Sequence, residues 1–483
     1  MITIFSNNSG RPFTKEDNIL KAEILWALKC TKSNFSFNSN EDNVSLFQNM
    51  FPDSEIAASY KMSYTKCKYI IQYGIYEWVL EELVRDMKEK PYSFLFDETT
   101  TVQVKKQYDG YVQYESSNHN AIVTRYCGST FHGHCYATDL KENFFEFKKK
   151  LSFNVNYLLQ IMKDGPSTNL LFQKLLTKAL EDEYNSSLID IGTCSLHTVH
   201  NGFQKGLKML NFDFDGFICD LVFYFKRSSA RREDYKMIEM ITQVESQFLL
   251  KHVSWRWLSL RKALIRIVDQ WPNLVKYFLG YLPKQNNFAK DVESTKRYQN
   301  IRKHLLSNLS LMYMHFAIHV ADIFEGYLTL LQSSKPIVHI MYSAIGDLLF
   351  GVMTNFIKST SLIDSHKVRK DAEALGAVDV KQTTNSTSIH KIDFGKGARR
   401  EIGNLVATIN LDSVKTEFKM CYDAITLYLQ KNLPYNRPIL KDLQCLHKSN
   451  RLKEESVPAV RRLATKISMI LRGTNFTQLN SDR

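Results

Sequence analysis

Apolar and polar positions change rhythm three times along this chain. Residues 1–45 are polar and rich in Asn and Ser, with one helical stretch in "KAEILWALKC". From about Ser54 to Lys88, "SEIAASYKMSYTKCKYIIQYGIYEWVLEELVRDM" places apolar residues three and four apart, the spacing of an amphipathic helix. After Pro91 the rhythm shortens. Ser93–Phe96, Gly110–Tyr114 and Ala121–Tyr126 read as strands, with a turn at "SSNHN". A helix follows in "DLKENFFEFKKKL", then an apolar strand "NYLLQIM", then a helix opening at "PSTNLLFQKLLTKALEDEY". "SSLIDIG" reads as one more buried strand, followed by a helix from Leu196.

That order, βββαβαβα, predicts a ribonuclease-H-like mixed sheet with flanking helices. Beyond about Asn211 the pattern becomes long and helical, in "REDYKMIEMITQVESQFLLKHV", "WLSLRKALIRIVDQW", "KRYQNIRKHLLSNLSLMYMHFAIHVADIFEGYLTLLQ" and "VHIMYSAIGDLLFGVMTNFIKST". The expected class is therefore α/β plus all-α, with a large helical domain interrupting or following the sheet. The boundaries fall at 1–53 for a polar N-terminal segment, 54–90 for a helical lead-in and 91–210 for the core. A helical insertion takes 211–433, and a short segment with proline breaks and one basic helix takes 434–483.

Composition narrows the function classes. A chain of 483 residues needs two or three cores. No apolar run is long enough to cross a bilayer, so no membrane role is expected. Eight cysteines without a signal-peptide pattern point to reduced thiols. The net charge of +13 favours a polyanionic partner, because neutralising phosphates releases condensed counterions. Neither kind of glycine-rich phosphate loop is present, which argues against a nucleotide cofactor.

Several residues could carry chemistry. Asp97 and Asp164 follow predicted strands, and carboxylates so placed can hold the paired cations of phosphoryl transfer; each also reads as an ordinary strand cap or turn. Cys194, His197 and His200 in "CSLHTVH", with Cys127, His132, His134 and Cys135 in "CGSTFHGHC", lack the paired Cys-x-x-Cys spacing, so no zinc is expected. Arg256 and Trp257 in "SWRWLSLRKALIRIVDQW" could contact a phosphate and stack on an unpaired base. Arg231 and Arg232 in "RSSARREDY" could clamp a phosphate, or form ion pairs at a helix start. "KGARREIGNL" and "RRLATKISMILR" are basic helical stretches that suit DNA backbone contact or a solvated face.

Taken in order, "AEILWAL", "MFPDSEIAASY", "TKCKYIIQYGI", "FLFDETT", "TRYCGSTFHGH", "DGPSTN", "LIDIGTCSLHTVHNGF", "SSARREDY", "RWLSLRKALIRI" and "KIDFGKGARREIGNL" resemble the transposase domain of the hAT superfamily, closest to its BED-finger-associated, domesticated branch. The resemblance implies Asp97 and Asp164 as the first two metal ligands, with Mg²⁺ or Mn²⁺ as the cofactor of an active enzyme. It makes Cys194 and His197 the family's Cys-x-x-His motif, and Arg256 and Trp257 its Arg-Trp motif. The family's third acid, a Glu before an aromatic-Ser motif, has no counterpart; Glu325, Glu454 and Glu455 lie in other contexts. The N-terminal zinc finger and the C-terminal dimerisation motif are not found either, so no oligomer is assumed. The resemblance and its departures imply a transposase-derived DNA-binding protein that is truncated or catalytically inactive, and the DNA partner with the basic clusters points to the nucleus. The alternatives are an active transposase fragment cutting and joining DNA, and a domesticated protein-interaction module.

Overall fold

The sheet is built from strands whose alternate residues face a core. In the computed structural model, which describes residues 13–470 apart from 102–104, 135, 163, 164, 166, 253–257, 287, 334, 365, 366, 369, 370 and 404–409, four strands form one sheet. They are β1 (Tyr92–Thr100), β2 (Lys106–Ser116), β3 (Ala121–His132) and β4 (Leu158–Met162), in the order β3-β2-β1-β4. β1 pairs antiparallel with β2 and parallel with β4, so the first strand is central. Strands β1 to β3 run well beyond the apolar runs that announced them. Their polar ends, such as Glu98–Thr100 with Lys106–Tyr108, extend the ladder through backbone pairing, to which hydropathy is blind.

The chain divides into two compact units. The first runs to Met162 and takes up Leu171–Leu188; the second is Ile189–Met469 with the short stretch ending at Leu170. In the first unit, Tyr92 and Phe94 of β1 and Tyr108, Val112 and Tyr114 of β2 are buried on one face of the sheet. The helices Ala137–Leu151 and Ser167–Tyr184 cover that face: Phe94 meets Phe144 edge-on at 5.1 Å, and Phe96 meets Phe172 at 5.2 Å. A smaller core in the same unit gathers Ala27, Cys30, Tyr60, Met62 and Cys67 from the helices Lys15–Ser33 and Tyr64–Tyr69 and the segment between them.

The second unit is helical around one large core. The helices Ser310–Leu331 and Leu411–Asn432 cross there, with Phe316 stacked on Phe418 at 4.0 Å. Two expectations fail in this unit. "SSLIDIG" forms no strand, although residues 186–192 are all described. Ile189 and Ile191 instead pack against Ile439, Cys445, Ala459 and Leu463, so the run is apolar for a helix-lined core and not for a sheet. The helical pattern read through "ITQVESQFLLKHV" also stops early. Gln243 adopts a left-handed φ of 55° after the helix Glu239–Thr242, and the chain is irregular to His252. Side chains replace the helical ladder there: Gln270 accepts from Gln247 N at 3.1 Å and donates to Glu245 O at 2.9 Å, while Asn273 donates to Val244 O at 3.0 Å.

Candidate functional site

Asp97 lies on the face of β1 opposite the core, because the pleat sends Phe94 and Phe96 one way and Leu95 and Asp97 the other. It is exposed, and its ladder partner is Asp109 of β2. Asp109 is itself held by neighbours. Gln107 Nε2 donates to its Oδ1 at 2.9 Å, and the Ser129 hydroxyl of β3 donates to the same oxygen. Tyr111 and Tyr126 stand beside the pair with ring centroids 5.7 Å apart. Burial, then the charges of Asp109 and Asp97, push the Tyr111 phenol above its ordinary value. Glu98 points to the other face, where it takes the Tyr108 hydroxyl at 2.7 Å and the Lys106 ammonium. The sequence reading missed Asp109, because an acid inside an alternating strand carries no local mark; only the register brings it to Asp97.

Two carboxylates side by side supply hard oxygen ligands of the kind that Mg²⁺ or Mn²⁺ accepts. Among the described residues, however, no group of three or more His, Cys, Asp or Glu side chains could hold a metal ion. Asp164, the second ligand implied by the resemblance, lies outside the described residues, as do Arg256 and Trp257. What the described residues place together on this face is the pair Asp97 and Asp109.

In the second unit, Cys194 is the residue preceding the helix Ser195–Leu207, and its carbonyl accepts from both Thr198 N and Thr198 Oγ1 at 3.2 Å. His197, one turn on, lines a pocket of about 500 Å³. His200 lines a different, mostly apolar pocket with Phe203 and Phe212, so the three residues of "CSLHTVH" do not converge on one point. The His197 pocket also takes Gly165, adjacent in sequence to Asp164, and Thr193 and Asn201, so the "DGPSTN" and "CSLHTVH" motifs meet at one cavity. Its other wall was not anticipated: Tyr428, Lys431, Asn432, Asn436 and Arg437, from the end of the helix Leu411–Asn432 and the turn beyond it. Gly192 holds the rim with φ 92°, a backbone state that suits glycine, and a Cβ there would strike Pro434. Asp190 binds Arg437 at 3.1 Å and accepts Gly192 N at 2.9 Å. Lys205 sits over the Tyr428 ring at 4.9 Å. A cavity lined by amide, hydroxyl and cationic donors, one of them paired with Asp190, suits an anion that accepts several hydrogen bonds.

Arg231 and Arg232 have an internal role. Arg231 donates to Tyr224 O at 2.9 Å and lies over the Tyr224 ring at 4.4 Å; Arg232 donates to Phe225 O at 3.1 Å. Both guanidinium groups thus satisfy the terminal carbonyls of the helix Phe214–Phe225, where the dipole favours positive charge. Arg462 likewise grips buried Asp442 at 2.6 Å, and Arg399 reaches Asp393 at 3.0 Å. No helix among the described residues is long and apolar enough to cross a membrane. Compared with known proteins, the chain matches no family model and no curated protein.

Proposed function

We propose that this chain is a transposase-derived DNA-binding protein of the hAT type, acting in the nucleus. The observation that carries the reading is the His197 pocket, where two stretches of the ordered motif set meet and Lys431 and Arg437 add positive charge. The sheet supports it as well. An order of β3-β2-β1-β4, with β1 central, antiparallel to β2 and parallel to β4, suits a ribonuclease-H-like core, and Asp97 lies on that central strand. The net charge of +13 suits a phosphate-rich partner. The ancestral chemistry is metal-dependent DNA strand cleavage and transfer, with Asp97 and Asp164 as Mg²⁺ or Mn²⁺ ligands. This reading assigns the chain DNA binding and leaves that catalysis with its ancestor.

The test is fluorescence anisotropy of labelled duplex and single-stranded DNA with the full chain, repeated across a series of KCl concentrations. Affinity should fall linearly on logarithmic axes, and Lys431→Gln should lower the slope by about one unit if Lys431 meets a phosphate. A flat salt response, or a slope unchanged in K431Q, overturns the assignment to this pocket.

A further inference from the structure

The helices Lys15–Ser33 and Tyr64–Tyr69 each bring one cysteine into the small core of the first unit. Cys30 is 1% exposed and Cys67 0% exposed, and both thiols are buried in the same small core. Asn40 fixes this arrangement. Its Oδ1 accepts from Cys30 Sγ at 3.7 Å and from Trp26 Nε1 at 2.6 Å. The other described cysteines are placed differently: Cys127 is buried within β3, and Cys421 lies in the helical core of the second unit. We infer that Cys30 and Cys67 form a reversible disulfide that clamps the first helix onto the Tyr64–Tyr69 turn when the chain meets a peroxide.

The geometry supplies the partner and the core supplies the control. Two thiols buried in one small core need little backbone movement to reach the short separation a disulfide demands. Burial pushes both thiols above their ordinary value, Cys67 to about 11, so in the closed core neither is a thiolate. Reaction therefore waits for local opening. The core holds only five buried apolar residues, with partly buried ones around it, so it opens more readily than the large cores. In the opened state one thiolate attacks a peroxide oxygen and the O–O bond breaks. That sulfur becomes a sulfenic acid and, after protonation, the first water leaves. The second thiolate attacks the sulfenic sulfur, the S–O bond breaks, and a second water leaves. Two thiols and one hydrogen peroxide thus give one disulfide and two waters, with two electrons passing from sulfur to peroxide. The closed bond joins residues 30 and 67, so the segment between them can no longer unfold by separating from the first helix.

The experiment treats the full reduced chain with hydrogen peroxide, caps remaining thiols with N-ethylmaleimide and maps tryptic peptides by mass spectrometry without reduction. The expected result is a Cys30–Cys67 linked peptide pair, lighter by two hydrogens than the free peptides and released by dithiothreitol. Limited proteolysis between residues 34 and 63 should slow by about tenfold on oxidation, and Cys67→Ala should abolish both effects. Cys67→Ser and Cys30→Ala serve as second variants, separating loss of the bond from loss of folding, which circular dichroism reads directly. Recovery of Cys30 and Cys67 as capped thiols, or as unlinked sulfinic acids, at every peroxide concentration overturns the inference.

Discussion

Asp97 and Asp109 face each other across the antiparallel ladder of β1 and β2, two carboxylates at one register position on the face turned away from the core. Directly opposed like charges destabilise a sheet by about 0.2–1 kcal/mol. Asp109→Asn keeps an acceptor for Gln107 and Ser129 while removing one charge. It should stabilise the chain by that amount at low salt, with the gain shrinking as salt rises, by urea unfolding at two ionic strengths. A loss of stability at both would mean that the charge on Asp109 is needed by its hydrogen-bond partners.

Asp86 ties the helix Tyr76–Met87 to the end of β2. Its carboxylate takes Lys90 Nζ at 2.8 Å, Tyr114 OH at 3.1 Å, Ser117 N at 3.1 Å and Ser116 Oγ at 2.5 Å, while its side chain is 5% exposed. Burial alone would raise this acid, but the bonds from Lys90, Ser116 and Tyr114 outweigh it and hold it at about 2. The folded value lies below the unfolded one, so the stabilisation is complete above about pH 4 and is lost as pH falls towards 2. Asp86→Ala should cost about 2–4 kcal/mol at neutral pH. The variant should also lose part of the acid-side slope in a pH series of unfolding midpoints. An unaltered slope would remove Asp86 from the account.

Helix packing makes Gly206 harder to replace than Gly202. The helix Ser195–Leu207 lies against Leu411–Asn432, and a Cβ at Gly206 would collide with Ile425 and come within 3.0 Å of Cys421 O. At Gly202 the nearest atom, on the flexible Leu429, would be 3.1 Å away. Alanine gains about 1 kcal/mol of helix propensity at either site. Gly202→Ala should therefore be near neutral, while Gly206→Ala should cost about 1–3 kcal/mol through overpacking. Equal thermal shifts in the two variants would contradict this.

His304 is buried between Phe212 and Phe217, with ring centroids at 4.6 and 5.0 Å, and its Nε2 has no hydrogen-bond partner among the described residues. Burial first, and then Lys303, push it below 6.5. The unfolded chain therefore takes up this proton before the folded one does. The contribution is complete above about 6.5 and declines as pH falls through the folded value. His304→Phe should flatten the dependence of stability between about pH 7 and pH 5. The check is a set of denaturant midpoints in that range, where parallel curves for the two proteins would count against it.

Much of the architecture was legible in the sequence. The alternation in "YVQY" and the three-and-four spacing after Asn211 report side-chain burial, and burial is what hydropathy measures. The helix from Ser195 and the strand ending at Met162 follow from those patterns. Apolar character could not say which surface an element would bury against. Ile189 and Ile191 read as strand and instead pack on helices, because a short apolar run satisfies either core. Gln270 and Asn273, 2% and 0% exposed, take over the backbone of residues 244–247, a long-range exchange that leaves no local period.

The candidate site divides the same way. By residue type and position, the sequence alone determined that Asp97 ends an apolar run and that Cys194 and His197 open a helix. Only the tertiary structure decided that Asp109 stands opposite Asp97, that Lys431 and Arg437 share a cavity with His197, and that Arg231 and Arg232 serve helix carbonyls. The physical reason is that charge and hydrogen-bonding capacity belong to single residues and can be read in order. Their partners are set by register and helix crossing, which depend on the whole core at once.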